Sequence, residues 1–208
     1  MAKIGVVGAG SWGIALAKLL HKNGHQVCVW SIIEEEVKML SEKREHVDKL
    51  PGIQLPETMV FTKDLEACIK GMDLLVLAVP SVFTRQTAKQ MRPFVADGQI
   101  IVNVAKGIEE QTLMTLSDII EEEIPQANVT VLSGPSHAEE VGKCMPTTVV
   151  VGAKDMVTAK YVQKLFNSTV FRAYISSDIL GIELGGALKN VVALAAGMAD
   201  GLGYGDNT

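Results

Sequence analysis

Short apolar runs and amphipathic stretches alternate along residues 1–177. Residues 3–7 and 74–79 are rich in aliphatic side chains and predict buried strands, whereas residues 14–20 have the spacing of a helix. A wholly apolar run is typical of a parallel strand that helices cover on both faces. Further strands are predicted at 26–30, 59–62, 100–104, 129–132, 147–151 and 169–174, and further helices at 34–42, 112–123, 137–142 and 155–166. The alternation predicts an α/β fold with a Rossmann-like, doubly wound and mostly parallel sheet.

The pattern changes at Asp178. Beyond it, aliphatic residues recur at helical spacing among many small ones, and they predict one long helix that continues to Thr208. Each glycine inside a helix costs about 1 kcal/mol relative to alanine, so packing against other protein must stabilise this segment. We therefore expect residues 1–177 to form one domain and residues 178–208 to begin a helical one, whose apolar stripe is exposed or buried against another chain.

Composition narrows the classes of function. The 208 residues are 48% hydrophobic and 21% charged, which is enough apolar material for a sizeable core. A formal net charge of −5, without a tract of Lys and Arg, argues against a nucleic-acid partner. No apolar run reaches the roughly 18 residues of a membrane span, and residues 1–3 lead directly into a strand. We expect a cytoplasmic protein without membrane insertion.

Neither the cysteines nor the histidines predict a metal site. The three cysteines are far apart, and their number and spacing are typical of reduced thiols. His21 and His25 have the i, i+4 spacing of a ligand pair, but Asn23-Gly24 between them predicts the end of a helix. We therefore expect no metal.

The segment Gly8-Ala9-Gly10-Ser11-Trp12-Gly13 lies between the first predicted strand and the first predicted helix. In this context Gly8 permits a tight turn, Gly10 lets the backbone approach a pyrophosphate, and Gly13 lets the helix pack closely on the strand. Free N–H groups at the start of the helix would face the phosphates. The segment predicts dinucleotide binding, although the glycines could also serve only a close strand-to-helix turn.

The end of the second predicted strand does not indicate which dinucleotide binds. An acidic residue about 20 residues past the glycine motif would bind the ribose of NAD, and a basic one would accept the extra phosphate of NADP. The sequence has Ser31 and Ile32 there, followed by glutamates at positions 34–36. Those glutamates are equally typical of a helix start, where negative charge complements the helix dipole.

Two later loops place polar residues at the carboxyl ends of predicted strands, where ligands bind in open α/β sheets. Lys106 follows one strand, and it is either an anion-binding cation or an ordinary solvated lysine. Ser133-Gly134-Pro135-Ser136 follows another. Ser136 with Glu139 fits a helix capping box, which explains the serine without a ligand, yet a capped helix start can still present N–H groups to an anion.

Lys189 lies within the predicted carboxyl-terminal helix. Its neighbours at i±3 and i±4 are small or apolar, namely Gly185, Gly186, Val192 and Ala193. Such a face leaves room for a ligand, and a desolvated lysine could act there as an acid or base because burial penalises its charged form. The alternative is a lysine that reaches solvent beside glycines that serve helix packing.

Several segments together resemble the bacterial NAD(P)-dependent glycerol-3-phosphate dehydrogenases. They are GAGSWGIALA (8–17), AVPS (78–81), KGIE (106–109), SGPSHAEE (133–140) and ALKNV (187–191), and GMADGLGYGDNT (197–208) looks like the segment that follows in the family. The resemblance implies an oxidoreductase that interconverts dihydroxyacetone phosphate and sn-glycerol 3-phosphate with NAD or NADP, for phospholipid synthesis.

The resemblance also implies roles for single residues. Together with the glycine loop, the positions that would contact the cofactor are Ser11, Trp12, Ser31, Ile32, Lys106 and Ala138. A small phosphorylated substrate would contact Lys106, Gly134, Ser136 and Lys189. Lys189 would be the catalytic acid/base, which protonates the carbonyl oxygen as hydride arrives from the nicotinamide.

Two departures from the family pattern matter. Members often have Arg or His where this sequence has Ser31 and Ile32, which leaves the choice between NAD and NADP open. The family also has a helical carboxyl-terminal domain that extends past the position of Thr208 and closes the site. We therefore expect an amino-terminal fragment that binds cofactor, has little or no activity and forms a homo-oligomer.

The residues alone leave two other functions open. Lysine followed by asparagine on a helix after such a domain is shared with other β-hydroxyacid-type dehydrogenases. A module that binds NAD(H) without chemistry would need the glycine loop but not Lys189.

Overall fold

A computed structural model describes residues 1–134 and 137–205. Within those ranges the strands are β1 Lys3–Val7, β2 Gln26–Trp30, β3 Val60–Thr62, β4 Leu74–Leu77, β5 Ile100–Asn103, β6 Asn128–Ser133, β7 Thr147–Ala153 and β8 Phe171–Ser176. They form one sheet in the order β3-β2-β1-β4-β5-β6-β7-β8. Neighbours pair in parallel, except that β6 and β7 are antiparallel. The predicted doubly wound, mostly parallel sheet is confirmed.

Helices connect the strands and cover both faces of the sheet. In the described ranges they are α1 Ser11–Lys22, α2 Glu34–Lys43, α3 Leu65–Ile69, α4 Thr84–Met91, α5 Leu116–Glu123, α6 Ala138–Gly142, α7 Met156–Phe166, α8 Ile179–Ala187 and α9 Lys189–Gly201. Side chains set several of the starts. The hydroxyl of Thr115 accepts from the N–H of Asp118, so α5 begins later than the predicted residue 112.

The core lies on both sides of the sheet because successive strand residues point to opposite faces. Val6 belongs to a cluster with Ile14 and Leu16 of α1, whereas Val7 belongs to a second cluster with Met91 and Ile120. Burial on both faces explains why β1 and β4 are continuously apolar. In this sheet β1 lies between β2 and β4, and the strand order reverses there, which places a ligand crevice at the carboxyl ends of these strands.

The prediction of one long helix after Asp178 is wrong. The segment forms α8 and α9, which meet at an angle of 47° with a break at Leu188. The break follows Gly185 and Gly186, which are poor helix formers. It separates α8, which packs on β6 and β7, from α9, whose residues are mostly exposed. In the described part of the chain no single helix is long and apolar enough to cross a membrane. Only when α8 and α9 are counted together, across their bend, do they have the length and the apolar composition of a membrane span.

Candidate functional site

Gly8 and Gly13 fold the loop after β1 tightly. Gly8 has a φ of +119°, and a Cβ there would lie 2.7 Å from the carbonyl oxygen of Ala78. The N–H of Gly8 donates to the carbonyl oxygen of Trp30 (3.0 Å) at the end of β2. A Cβ on Gly13 would lie 2.1 Å from the carbonyl oxygen of Gly8, so a larger residue would push α1 away from the turn. The close turn alone therefore explains these two glycines.

Gly10 is different, because nothing in the described chain explains it. Its φ is −66°, and a Cβ added there would find no described atom within 4 Å. As the N-cap residue of α1 it offers no side-chain acceptor to the first N–H groups. The buried Nε1 of Trp12 also has no hydrogen-bond partner among the residues that the structure describes. Open space, uncapped N–H groups and an available donor fit a phosphate-bearing ligand at the start of α1.

Three adjoining cavities lie along the carboxyl edge of the sheet. The β2 cavity has a volume of about 350 Å³ and is lined by residues that include Gly8, Gly10, Ser31, Ile32 and Glu36. The loop groove, of about 610 Å³, includes Gly10, Ser11, Trp12, Lys106 and Ala138. The lysine cavity, of about 430 Å³, includes Lys106, Gly134, Gly185, Gly186 and Lys189. The cavities form one line, because Gly10 is common to the first two and Lys106 to the last two.

Two further cavities, of about 480 and 640 Å³, share His25 near the amino terminus. Ligands of open α/β sheets bind outside the carboxyl ends of the strands, so we place the candidate site in the line of three cavities. His21 lies in α1 and hydrogen-bonds Thr58, whereas His25 lies beyond α1 and accepts from the N–H of Ala2. Among residues 1–134 and 137–205, no group of three or more His, Cys, Asp and Glu side chains could hold a metal ion.

The β2 cavity contains a carboxylate that the sequence analysis did not distinguish from its neighbours. Glu36 is buried, and it accepts hydrogen bonds from the hydroxyl of Ser31 (2.6 Å) and from the ammonium of Lys49. Burial opposes the ionisation of Glu36, but the hydrogen bonds from Lys49 and Ser31 outweigh it and lower the pKa of its carboxyl. Glu36 is thus more than a helix-start charge. Ile32 is exposed at the rim of the same cavity.

Lys106 is positioned by the loop that follows β5. The side chain of Asn103, at the end of β5, accepts a hydrogen bond from the N–H of Ala105 (3.1 Å). Lys106 is partly buried between the loop groove and the lysine cavity. Burial lowers the pKa of its ammonium, and the positive charge of Lys189 lowers it further. The solvated-lysine alternative therefore does not describe Lys106 fully, since its partly buried environment disfavours its charge.

An ion pair that sequence reasoning missed holds the far end of this loop. The guanidinium of Arg85, on α4, donates two hydrogen bonds of 2.8 Å to the carboxylate of Glu109. Arg85 also pairs with Glu122 and Glu123 of α5. The hydrogen bond from Arg85, supported by one from Thr112, holds the pKa of Glu109 at about 2. The sequence analysis singled out this loop by its KGIE segment, residues 106–109. It could not identify the partner of Glu109, because Arg85 lies on α4, 24 residues earlier in the chain.

The loop after β6 brings Gly134 to the lysine cavity. Gly134 has a φ of +159°, and a Cβ there would lie 2.9 Å from the carbonyl oxygen of Thr148, so close packing on β7 requires glycine. Ser136 lies outside the described residues, whereas Glu139, its predicted capping-box partner, lies in the first turn of α6, whose N-cap is His137. The helix that follows, α6, begins at Ala138, which is buried beside the loop groove.

Lys189 lies in the lysine cavity, but it is not desolvated. Because the helix breaks at Leu188, Lys189 starts α9 instead of lying within one continuous helix. Its side chain is exposed, and its Nζ donates to Oδ1 of Asn190 (2.8 Å). Gly185 and Gly186 line the cavity with it as expected, whereas Val192 is exposed. Lys189 was predicted either to be desolvated or to reach solvent, and in the described chain it reaches solvent. It still lies close enough to Lys106 to lower the pKa of that ammonium, after the larger effect of burial.

Comparison with known proteins gives consistent matches. A sequence profile described as the NAD-dependent glycerol-3-phosphate dehydrogenase N-terminus matches residues 3–159, and the corresponding C-terminus profile matches residues 178–208. A glycerol-3-phosphate dehydrogenase (NAD(P)+) of Agathobacter rectalis is 65% identical over 208 residues, which cover 100% of this chain and 62% of that protein. A glycerol-3-phosphate dehydrogenase (NAD(P)+) of Fusobacterium nucleatum is 55% identical over 210 residues, which cover 100% of this chain and 63% of that protein.

The fold matches as well. The crystal structure of glycerol-3-phosphate dehydrogenase from Coxiella burnetii superposes with a TM-score of 0.90 at 32% sequence identity, and the match covers 99% of this chain and 63% of that one. The chain therefore spans less than two thirds of the length of each of these three proteins.

Proposed function

This chain belongs to the NAD-dependent glycerol-3-phosphate dehydrogenase family, and on that premise we propose that its site serves the interconversion of dihydroxyacetone phosphate and sn-glycerol 3-phosphate. The observation that carries the proposal is the continuous line of cavities from Ser31, past the glycine loop, to the two lysines. A dinucleotide would occupy the β2 cavity and the loop groove, and the phosphorylated substrate the lysine cavity. In this arrangement Lys106 borders both ligands.

The cofactor in this proposal is NAD or NADP, and a bound nicotinamide supplies or accepts the hydride. Gly10, the first N–H groups of α1 and the indole of Trp12 would bind its phosphates. Ser31 and Ile32 would border its adenosine end, where Glu36 is already paired with Ser31 and Lys49. That pairing offers a carboxylate and an ammonium side by side, so we assign no preference between the two cofactors.

The proton in this proposal moves at Lys189. In reduction its ammonium would donate a proton to the carbonyl oxygen, and in oxidation its amine would remove the proton from the hydroxyl. The ammonium of Lys106 would attract the phosphate ester and stabilise negative charge on the reacting oxygen. Burial and, after it, repulsion from Lys189 lower the pKa of Lys106 in the free chain, and an anionic substrate would offset that repulsion. Gly134 and Ser136 would complete the substrate contacts.

The 208 residues by themselves, we propose, bind cofactor but catalyse little turnover. The residues assigned to the cofactor are held by the sheet and its loops, whereas Lys189 is exposed. Residues 1–177 would thus be the dinucleotide-binding domain, and residues 178–208 the start of the substrate-binding one. We further propose a cytoplasmic homo-oligomer whose product supplies phospholipid synthesis.

The test uses a polypeptide of the relatives' full length. Lys189→Ala should lower kcat for dihydroxyacetone phosphate about 1,000-fold, as expected for loss of an acid/base group, while the Kd for NADH or NADPH stays unchanged. Lys160→Ala, an exposed lysine on α7, is the matched control and should leave both values unchanged.

Two outcomes would contradict the proposal. Full turnover in Lys189→Ala would favour a site that binds cofactor without using this lysine. Equal turnover of a phosphate-free hydroxy acid would favour another β-hydroxyacid-type dehydrogenase.

A further inference from the structure

Glu183 is a buried carboxylate on α8 that the proposed chemistry does not use. Its exposed fraction is 8%. A buried carboxylate is costly unless hydrogen bonds satisfy it, so its partners indicate what it does. Glu183 lies three residues before Gly186 and six before Lys189, on the helix that leads into the lysine cavity.

The first partner of Glu183 is the start of α5. Its Oε1 accepts from the backbone N–H of Ser117 (3.0 Å), and its Oε2 accepts from the hydroxyl of the same serine (2.5 Å). Ser117 lies in the first turn of α5, where backbone N–H groups lack partners within the helix and negative charge is favoured. The contact therefore joins α8 to a helix on the other side of the Lys106 loop.

The second partner is Asn103, at the end of β5. Its Nδ2 approaches Oε1 of Glu183 at 3.5 Å, and its Oδ1 accepts from the N–H of Ala105 (3.1 Å). Asn103 is almost fully buried. Since Ala105 directly precedes Lys106, one amide connects Glu183 with the backbone that carries Lys106.

The same helix also touches Lys106 directly. A Cβ added to Gly186 would lie 3.3 Å from Cγ of Lys106, so the helix backbone lies against the lysine stem. The position of α8 thus determines both the surroundings of Lys106 and the point at which Lys189 begins α9. We propose that Glu183 is a positioning residue, which holds α8 against the Asn103–Ala105 turn and thereby sets Lys106 and Lys189 relative to one another. The roles of the two lysines rest on the proposed function.

Two other contacts attach α8, and they make the role of Glu183 separable from simple helix stability. Ile182 packs on β7, where a Cβ on Gly152 would lie 2.8 Å from its Cδ1. The carboxylate of Asp178 caps the helix by accepting from the N–H of Gly181 (2.9 Å). Without Glu183, α8 should stay helical and attached, but free to shift relative to Lys106.

The experiment is an NMR titration of ¹³C-methylated lysines in the 208-residue chain, with the Lys106 signal assigned from Lys106→Arg. Glu183→Asp keeps the charge but shortens the reach, and it should raise the pKa of Lys106 as the helix withdraws and water enters. Glu183→Gln keeps the length and an oxygen at Oε1, and it should retain the parent value. Asp178→Ala weakens the same helix without touching Asn103, and it should leave the pKa of Lys106 unchanged.

An unchanged Lys106 titration in Glu183→Asp would overturn the proposal, and so would an equal rise in Asp178→Ala. If circular dichroism shows that Glu183→Asp does not fold, Asn103→Ala takes its place. It should also raise the pKa of Lys106, and an unchanged Lys106 titration would again overturn the proposal. The titration needs no turnover. Its failure is therefore distinct from failure of the proposed function, which the Lys189→Ala kinetics test.

Discussion

The two ends of the candidate site differ in what holds them. At the glycine loop, the backbone just after β4 and that of the loop itself leave no space for a Cβ on Gly8 or Gly13. At the lysine cavity, α8 is anchored to the sheet by Ile182 and to α5 by Glu183, but α9 and Lys189 are exposed. The glycine-loop end, where we propose that the cofactor binds, is thus positioned by contacts within the described chain, whereas Lys189, the proposed acid/base, begins an exposed helix.

The largest effect should come from testing the same substitution in both regions. Gly13→Ala places a Cβ against the carbonyl oxygen of Gly8 and should lower the free energy of unfolding by about 3 kcal/mol. Gly197→Ala, on exposed α9, meets no described atom within 4 Å and should not lower it, because alanine is the better helix former. Urea unfolding of both variants measures the difference. Equal destabilisation would contradict the contrast between the regions.

A second substitution separates binding from folding within the glycine loop. Gly10→Leu enters the open space at the start of α1, where an added Cβ meets no described atom within 4 Å. We expect unchanged stability and a Kd for NADH or NADPH that rises at least about 100-fold, which corresponds to roughly 2.7 kcal/mol. The control is Gly197→Leu, which is equally open but far from the loop in sequence, and it should bind normally. Normal binding by Gly10→Leu would place the cofactor elsewhere.

The loop between the two ends should respond to pH through Glu109. Its pKa of about 2 lies below its ordinary 4.5 because Arg85 binds the ionised form. The group therefore stabilises the fold above pH 4.5, and this contribution is lost as the pH falls from 4.5 towards 2. Melting curves of the parent and Glu109→Gln should differ at pH 6 and converge across that window. Glu110→Gln, at the exposed neighbouring residue, is the control, and a constant gap in Glu109→Gln down to pH 2 would contradict the assignment.

The smallest effect on stability should occur on α9. Leu194 is 62% exposed, so Leu194→Lys should change the free energy of unfolding by less than about 0.5 kcal/mol. If the exposed face of α9 mediates self-association, the same change should shift the sedimentation profile towards monomer. Val157→Lys, which replaces an exposed apolar residue on α7, should not shift the profile. Identical profiles for both variants would argue against association through α9.

The sequence predicted most of the sheet because residues buried on both faces leave a continuous apolar run. The strand predicted at residues 74–79 is β4, which ends two residues earlier, at Leu77. The strand predicted at residues 100–104 is β5, which ends one residue earlier, at Asn103. The five-residue helix α3 was not predicted, since it is too short to show a helical period. The break at Leu188 was also missed. The helical spacing of aliphatic residues continues across Leu188, so the sequence shows no interruption there. The bend arises because α8 packs on the sheet whereas α9 is mostly exposed.

The candidate site divides in the same way. The ends of strands are readable in sequence, so Gly10, Lys106 and Gly134 were placed correctly along one edge. Glu36 and Glu183 could not be distinguished from surface glutamates, because their burial follows from helices and strands that are distant in the chain. For the same reason, sequence alone could not decide whether Lys189 is desolvated or exposed.

The most direct test of the central contrast is a fluorescence titration of the 208-residue chain with NADH and NADPH, followed by a turnover assay with dihydroxyacetone phosphate on the same sample. We expect saturable binding of at least one cofactor, weakened at least about 100-fold by Gly10→Leu, with turnover at or near background. Absence of binding would contradict a self-supporting cofactor end. Robust turnover would contradict an incomplete proton-transfer end.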